Sequence, residues 1–250
     1  MLELNNIKKG FTNGKSQKLI FNEFNMKINN DDFIIILGNN GSGKSTLLNL
    51  IAGFIFPEDG SIHLNGMNIM NQPAYVRSKY MSYIHQIREN NLLSKATLIE
   101  IYMLAKDNNI AYFSNRYRSK CKKELIELLG KYNIGMENRI DEQLCNLSGG
   151  EHQIFTLILI TQLAKKRIES KILLLDEHTA HLDPSSSERV MSFTDKLIKE
   201  FNYTAIMVSH SLQLAEEYGN RIIALDHGEI IYDKMFDKPN KLLDRSLLWG

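Results

Sequence analysis

Gly38-Asn39-Asn40-Gly41-Ser42-Gly43-Lys44-Ser45 has the form G-x-x-x-x-G-K-[ST] in full. Its three glycines let successive backbone N–H groups turn inward around phosphate oxygens. A helix opening near Lys44 would add the positive end of its dipole. In such a loop Lys44 reaches the β- and γ-phosphates of a nucleotide, and the Ser45 hydroxyl, with Thr46 next to it, faces Mg²⁺. A second group is Ile172-Leu173-Leu174-Leu175-Asp176-Glu177, an apolar run that ends in two acids. A buried strand of this kind delivers its last side chains to the ligand crevice. Asp176 is expected to hold Mg²⁺ through water, and Glu177 to orient or deprotonate an attacking water. A third group is Leu147-Ser148-Gly149-Gly150-Glu151, where a serine and two adjacent glycines open a helical pattern. That is a second anion-binding surface. One triphosphate on one subunit does not need two, so the segment is expected to cap a nucleotide held by another copy.

The elements that must position these groups follow from the patterning. Leu2–Ile7 and Leu19–Ile28 alternate loosely, with the turn signal Asn13-Gly14 between them. Phe33–Leu37 is a compact apolar run, expected to form a buried parallel strand that feeds the glycine loop. A helix is expected over Thr46–Phe54, stopped by Pro57 and Gly60, and a further strand over Ser61–Leu64. Apolar residues recur at helical spacing in Leu98–Ala105 and Leu125–Leu129, separated by polar stretches such as Asp107-Asn108-Asn109. This region, about 88–150, reads as a helical insert. Beyond it the pattern predicts a helix (Glu151–Lys165), a strand (Ile172–Leu175), a helix (Ser185–Phe201), a strand (Thr204–Ser209), a helix and a hairpin (Arg221–Tyr232). That alternation implies an α/β fold with a parallel sheet.

Composition narrows the function classes. The chain has 250 residues, 43% hydrophobic and 24% charged, with a formal net charge of +1, which suits one large globular domain with a subdomain inserted in it. Neither a basic bias nor a basic stripe is present, so nucleic acid is not an expected partner. Lys165-Lys166-Arg167 reads as a solvated helix end. Cys121 and Cys145 have no metal-ligand spacing around them and read as reduced thiols. The first residues, MLELNNIKKGF, lack the apolar core of a signal peptide. Ile154–Ala164 and Ile172–Leu175 are too short to span a bilayer. A cytosolic chain is expected, reaching a membrane only through a partner.

Taken in order, these motifs resemble those of the ABC ATPases, the nucleotide-binding subunits of ATP-binding-cassette machines, over essentially the whole length. Gly38–Ser45 resembles the Walker A loop, and Ile172–Asp176 the Walker B strand with Glu177 as catalytic glutamate. Leu147–Glu151 resembles the signature motif. Gln86 is similar to the Q-loop glutamine, which implies a contact with Mg²⁺ and the γ-phosphate. Ala180–Asp183 is similar to the D-loop, His210 to the switch histidine, and Phe11 to the aromatic residue that stacks on adenine. The resemblance implies a P-loop NTPase (RecA-like) core with an N-terminal antiparallel β subdomain and an inserted helical subdomain. It also implies ATP and Mg²⁺ as ligands and a head-to-tail homodimer. Each ATP would lie on one subunit's loop and beneath Ser148, Gly149, Gly150 and Glu151 of the other, with Asp183 near the interface.

The sequence departs from the family pattern in two places. Glu151 stands where glutamine is usual, and Glu177-His178-Thr179-Ala180-His181 replaces the usual Glu-Pro-Thr-Ser-Ala type. His178, His181 and His210 could be read as a metal cluster, but spacing alone supports that. The DEHTAxLDP form resembles ATPases of bacterial importers for tryptophan, tyrosine and related small molecules. That resemblance implies permease partners, an extracytoplasmic solute-binding protein, and a place on the inner face of the membrane. An exporter ATPase, a soluble ABC protein that remodels a protein or nucleic-acid complex, and a scaffold without turnover are the competing readings. Apolar residues of Leu92–Leu104 are either the insert's own core or contacts for a membrane partner.

Overall fold

A computed structural model describes residues 1–13, 16–84, 93–106, 115–164 and 171–236. Gln86, Gly14, Leu92, Asp107-Asn108-Asn109 and Lys165-Lys166-Arg167 lie outside the described residues. Two compact units result, Met1–Gln86 with Arg167–Ala180 and Met191–Gly250, and Ile87–Lys166 with His181–Val190.

The first unit holds two sheets. β1 (Leu2–Asn13), β2 (Ser16–Ile28), β4 (Asp59–Leu64) and β5 (Met67–Asn68) form an antiparallel sheet in the order β2-β1-β4-β5. Its alternation buries Leu2, Leu4, Ile28, Ile62 and Leu64 on one face. The other sheet has the order β10-β9-β3-β8-β7-β6, built from β3 (Phe33–Gly38), β6 (Met81–Ile84), β7 (Ile172–Asp176), β8 (Thr204–Val208), β9 (Arg221–Asp226) and β10 (Glu229–Met235). The first five of these pair in parallel, and β10 runs antiparallel to β9. β3, β7 and β8 read as continuous apolar runs because both faces of a parallel sheet are covered.

Helix α1 (Lys44–Ala52) shares one core with both sheets. Leu47, Leu48, Leu50 and Ile51 join Ile34 and Ile36 of β3, Leu174 of β7 and Ile206 of β8, with Leu4 and Phe21 from the antiparallel sheet. The helix starts two residues before the position expected from periodicity and stops at Gly53, whose φ of 79° ends it in the left-handed conformation.

A short helix, α2 (Ala74–Arg77), supplies a feature with no sequence signature. Arg77 is fully buried. Its guanidinium donates to the carbonyls of Leu50 (2.6 Å), Ile51 (2.7 Å), Gln72 (2.8 Å) and Met70 (2.8 Å). Burial draws its pKa down to about 10, which still leaves it charged at neutral pH. A cation thus closes the carboxyl end of the helix whose amino end carries the phosphate loop.

The second unit contains α3 (Leu98–Lys106), α4 (Asn115–Tyr132), α5 (Gly149–Ala164) and the first turns of α6 (Pro184–Phe201). α4 buries Cys121, Leu125, Leu129 and Tyr132, a helical repeat facing one way. In α3, Leu98, Ile99, Ile101, Tyr102 and Met103 are buried, while Leu104, and Leu93 ahead of the helix, are exposed. Most of that apolar stretch therefore serves as core. Both cysteines are free thiols, Cys121 buried and Cys145 exposed. Among the described residues no helix is long and apolar enough to cross a membrane.

Candidate functional site

Strand order brings the reactive groups together. β8 lies between β3 and β7, pairing Ile36 with Val208 and Val208 with Asp176. The carboxyl ends of three neighbouring strands therefore present Gly38, Asp176-Glu177 and Ser209-His210 side by side, the crevice position of open α/β sheets.

The phosphate loop leaves β3 at Gly38, whose φ is 152° and where an added Cβ would sit 2.3 Å from the Leu225 carbonyl oxygen. Gly43, at φ 109°, would place a Cβ 2.9 Å from the Phe21 ring. Neither position admits a side chain, which is the physical content of the glycine spacing. Asn39, Asn40 and Gly41 are exposed at the loop tip, Ser42 is buried, Ser45 is exposed and Thr46 is half-buried. Lys44 is buried, and its ammonium donates to the carbonyls of Gly38 (2.8 Å) and Asn39 (2.9 Å). Burial lowers its pKa, and the charges of Glu177 and Asp176 oppose that shift.

Asp176 is held from two sides. Ser45 Oγ donates to its Oδ1 at 3.3 Å, and the Tyr83 hydroxyl donates to its Oδ2 at 3.1 Å. Tyr83 comes from β6 and lies 3.4 Å from Asn49 Oδ1 on α1. Burial and the Asp176 charge raise the phenol's pKa beyond any physiological range, so it acts as a neutral donor. Nothing in the sequence singles Tyr83 out, since it is one of ten tyrosines and belongs to no motif. A hydroxyl and a carboxylate are hard oxygen donors and fit Mg²⁺, with the remaining positions left to water and phosphate.

Glu177 follows in the left-handed conformation, φ 47°, with its N–H donated to the Val208 carbonyl. Its Oε1 lies 2.8 Å from His210 Nε2. His210 sits between β8 and α7 (Leu212–Tyr218), which Ser211 caps by accepting from the Leu214 N–H at 3.3 Å. The carboxylate and imidazole thus pair at the strand ends, 33 residues apart in sequence. Phe11 is exposed on β1, with the Lys9 ammonium 5.2 Å from its ring centre.

The second unit holds the other candidate residues. Ser148 and Gly149 are exposed and open α5. Glu151 Oε2 accepts from the Ser148 N–H (2.8 Å) and hydroxyl (3.0 Å), and the Glu151 N–H returns to the Ser148 hydroxyl at 3.3 Å. This is a reciprocal capping box, a role glutamate fills as well as glutamine does. Asp183 caps α6, accepting from the Ser185 hydroxyl (2.6 Å) and the Ser186 N–H (3.0 Å). The Ser185 and Ser186 bonds hold its carboxyl well below the usual range.

The three histidines have separate surroundings. His178 is buried, with Nε2 3.2 Å from Thr194 Oγ1 and Nδ1 lacking a hydrogen-bond partner. His210 pairs with Glu177, and His181 is exposed. Among the described residues no group of three or more His, Cys, Asp or Glu side chains could hold a metal. Burial pushes the His178 pKa from 6.5 down to about 4. Above pH 6.5 both folded and unfolded chains keep this ring neutral. As pH falls from 6.5 toward 4, only the unfolded chain gains the proton, so stability drops by roughly 3 kcal/mol across that window. Urea melts at pH 7, 5.5 and 4.5 are expected to show this slope and to show it reduced in His178→Gln. An unchanged slope in the variant would remove His178 as its source.

Comparisons with known proteins identify the family. A sequence model of the ABC transporter family matches residues 21–180, from within β2 to Ala180. The chain belongs to the ABC transporter family. A tyrosine transport ATP-binding protein of Clostridioides difficile is 35% identical, with the match covering 99% of this chain and 97% of that protein. A phosphonates import ATP-binding protein of Lactobacillus delbrueckii is 31% identical over 98% and 93%. The solved dimeric ATP-binding cassette in a post-hydrolysis state, bound to ADP and Pi, superposes with a TM-score of 0.72. It is 26% identical, and the match covers 94% of this chain and 98% of that one. As an ABC cassette, the chain is an ATP-binding ATPase with a P-loop NTPase core.

Proposed function

We propose that this ABC ATPase powers a bacterial small-molecule importer from the inner face of the membrane, docked on permease subunits. The observation that carries the catalytic part is the convergence of Lys44, Ser45, Asp176, Glu177 and His210 at the ends of β3, β7 and β8. Names of relatives for tyrosine transport and phosphonate import support the direction of transport and an amino-acid-like or similar small solute. An extracytoplasmic solute-binding protein would then complete the system.

In this reading the loop Gly38–Ser45, with Thr46, wraps the triphosphate and Phe11 stacks on adenine. Ser45 and Asp176 would hold Mg²⁺, and Gln86, outside the described residues, is assigned to the same ion by the family resemblance alone. When bound, Mg²⁺ neutralises phosphate oxygens and orients the transferring group. Tyr83 keeps the Asp176 carboxylate turned toward Ser45. Glu177 orients the attacking water and takes its proton, and His210, which pairs with Glu177 in the free chain, would contact the γ-phosphate once nucleotide is bound. Ser148, Gly149, Gly150 and Glu151 of a second subunit close over the same phosphate, with Asp183 at the interface. The γ-phosphate then contacts both halves only in the closed dimer, so its loss permits opening. Positioning and charge stabilisation carry most of phosphoryl transfer, and these groups supply both.

The test is co-purification. Affinity-tagged chain, drawn from detergent-solubilised membranes of the source cells, is expected to bring a multi-helix membrane protein with it in fixed ratio. Recovery of the chain only from the soluble fraction, without such a companion, would overturn the transporter role.

A further inference from the structure

Glu151 poses an electrostatic problem. A helix amino terminus with exposed Ser148 and Gly149 is suited to an anion, yet the fourth residue of the motif is itself an anion. Its carboxylate also draws in the Ser148 hydroxyl, the group that would otherwise be free to face a phosphate. Left alone, that negative charge would repel the triphosphate.

The answer lies 12 residues upstream. Arg139 Nη1 donates to Glu151 Oε1 at 2.6 Å, on the carboxylate oxygen that the capping box does not use. The rest of its guanidinium is fixed by Glu142, whose Oε2 accepts from Nε at 3.1 Å and Nη2 at 2.9 Å. The fork is therefore held by two carboxylates and aimed by the nearer one. Partial burial works against the Glu151 charge, but the Ser148 N–H and hydroxyl and then Arg139 outweigh it and keep the group ionised. One cation between two carboxylates leaves the cluster with a single net negative charge.

We propose that Arg139 is a positioning residue for the anion surface at Ser148–Glu151. It offsets the Glu151 charge and fixes the carboxylate's rotation, so that the helix terminus can receive a triphosphate bound to another copy of this chain. The proposal rests on the shared-pocket reading given above. Arg139 need not touch the nucleotide, since its effect passes through Glu151. It accounts for the glutamate in the motif: Glu151 is compatible with closure because Arg139 is present, and glutamine would not need it.

The experiment uses the full-length chain carrying Glu177→Gln, with ATP-driven dimerisation followed by analytical ultracentrifugation at low salt. Nucleotide binding to the dilute monomer is followed with trinitrophenyl-ATP. Arg139→Met is expected to raise the ATP concentration for half-dimerisation by about tenfold. It should leave monomer nucleotide affinity and the thermal melt close to those of the parent. Arg139→Met with Glu151→Gln returns the cluster to one net negative charge and keeps a capping-box residue, so dimerisation should recover. Arg139→Lys should lose less than Arg139→Met.

If Arg139→Met dimerises like the parent, the proposal is overturned while the shared pocket stands. A loss that Glu151→Gln does not repair also overturns it, because a merely structural arginine would behave that way. Failure of the Glu177→Gln parent to dimerise with ATP would remove the shared pocket itself, and this proposal with it.

Discussion

Replacing Glu177 by glutamine is expected to cut ATP turnover by roughly 100- to 1,000-fold while leaving nucleotide binding intact. Glu177 pairs with an imidazole, at 2.8 Å from His210 Nε2, whereas its neighbour Asp176 is already engaged by Ser45 and Tyr83. Glutamine keeps the size and one oxygen for His210 but has no basic oxygen to take the water's proton. Binding should survive because the Gly38–Ser45 loop and Asp176 are untouched. With hydrolysis blocked, ATP should hold two copies together, and the complex should dissociate only when nucleotide is removed. Phosphate-release assays and ultracentrifugation read the two effects separately. Turnover within about threefold of the parent would take Glu177 out of the reaction.

The second large effect is expected from Lys44→Ala. Removing a cation that hydrogen-bonds a charged phosphate costs about 1.5–3 kcal/mol per bond, or roughly 10- to 100-fold in affinity. Hydrolysis should fall further, since the charge that builds on the γ-phosphate would lose a side-chain counterion. In the free chain the ammonium donates to the carbonyls of Gly38 and Asn39. Nucleotide must draw it away from them, so part of the binding energy is spent on that exchange. Alanine removes the exchange together with the attraction, and the second term is larger because it involves full opposite charges. Calorimetric titration with ATP is the measurement, with circular dichroism confirming that the loop change leaves the fold. An affinity equal to that of the parent would contradict the assignment of the loop.

These two residues were legible from the sequence for a specific reason. The loop is local: eight consecutive residues carry Gly38 and Gly43, where no Cβ fits, and end in a lysine and a serine at the first turn of a helix. The strand ending in Asp176-Glu177 is local too, because apolar runs and their polar ends are visible one residue at a time. Element boundaries were less legible. α5 begins at Gly149 rather than at Glu151, and α1 begins at Lys44 rather than at Thr46. The cause is the same at both: glycine and lysine at a first turn carry no apolar periodicity, and the helix is started there by caps and loop geometry.

Asp183 shows a different limit. Its place after Ala180 marks the motif, but its carboxylate is committed to capping α6 through Ser185 and Ser186. Sequence order indicated a functional loop, and only the fold showed the bond that shapes it. His178 is similar, since spacing placed it with His181 and His210 while burial against Thr194 gave it a separate environment.

The amino-acid sequence alone determined the glycine loop, the acidic strand end, the Ser148-Gly149-Gly150 helix start and the order of α and β elements. Each depends on neighbours along the chain. Tertiary structure alone decided that β8 lies between β3 and β7, which puts His210 on Glu177, and that β6 brings Tyr83 to Asp176. It also decided that Arg77 closes α1 and that Arg139 meets Glu151. Those contacts join residues 12 to 93 positions apart. Hydrogen bonds and ion pairs across such separations depend on strand order and packing, which leave no periodic trace in the residues themselves.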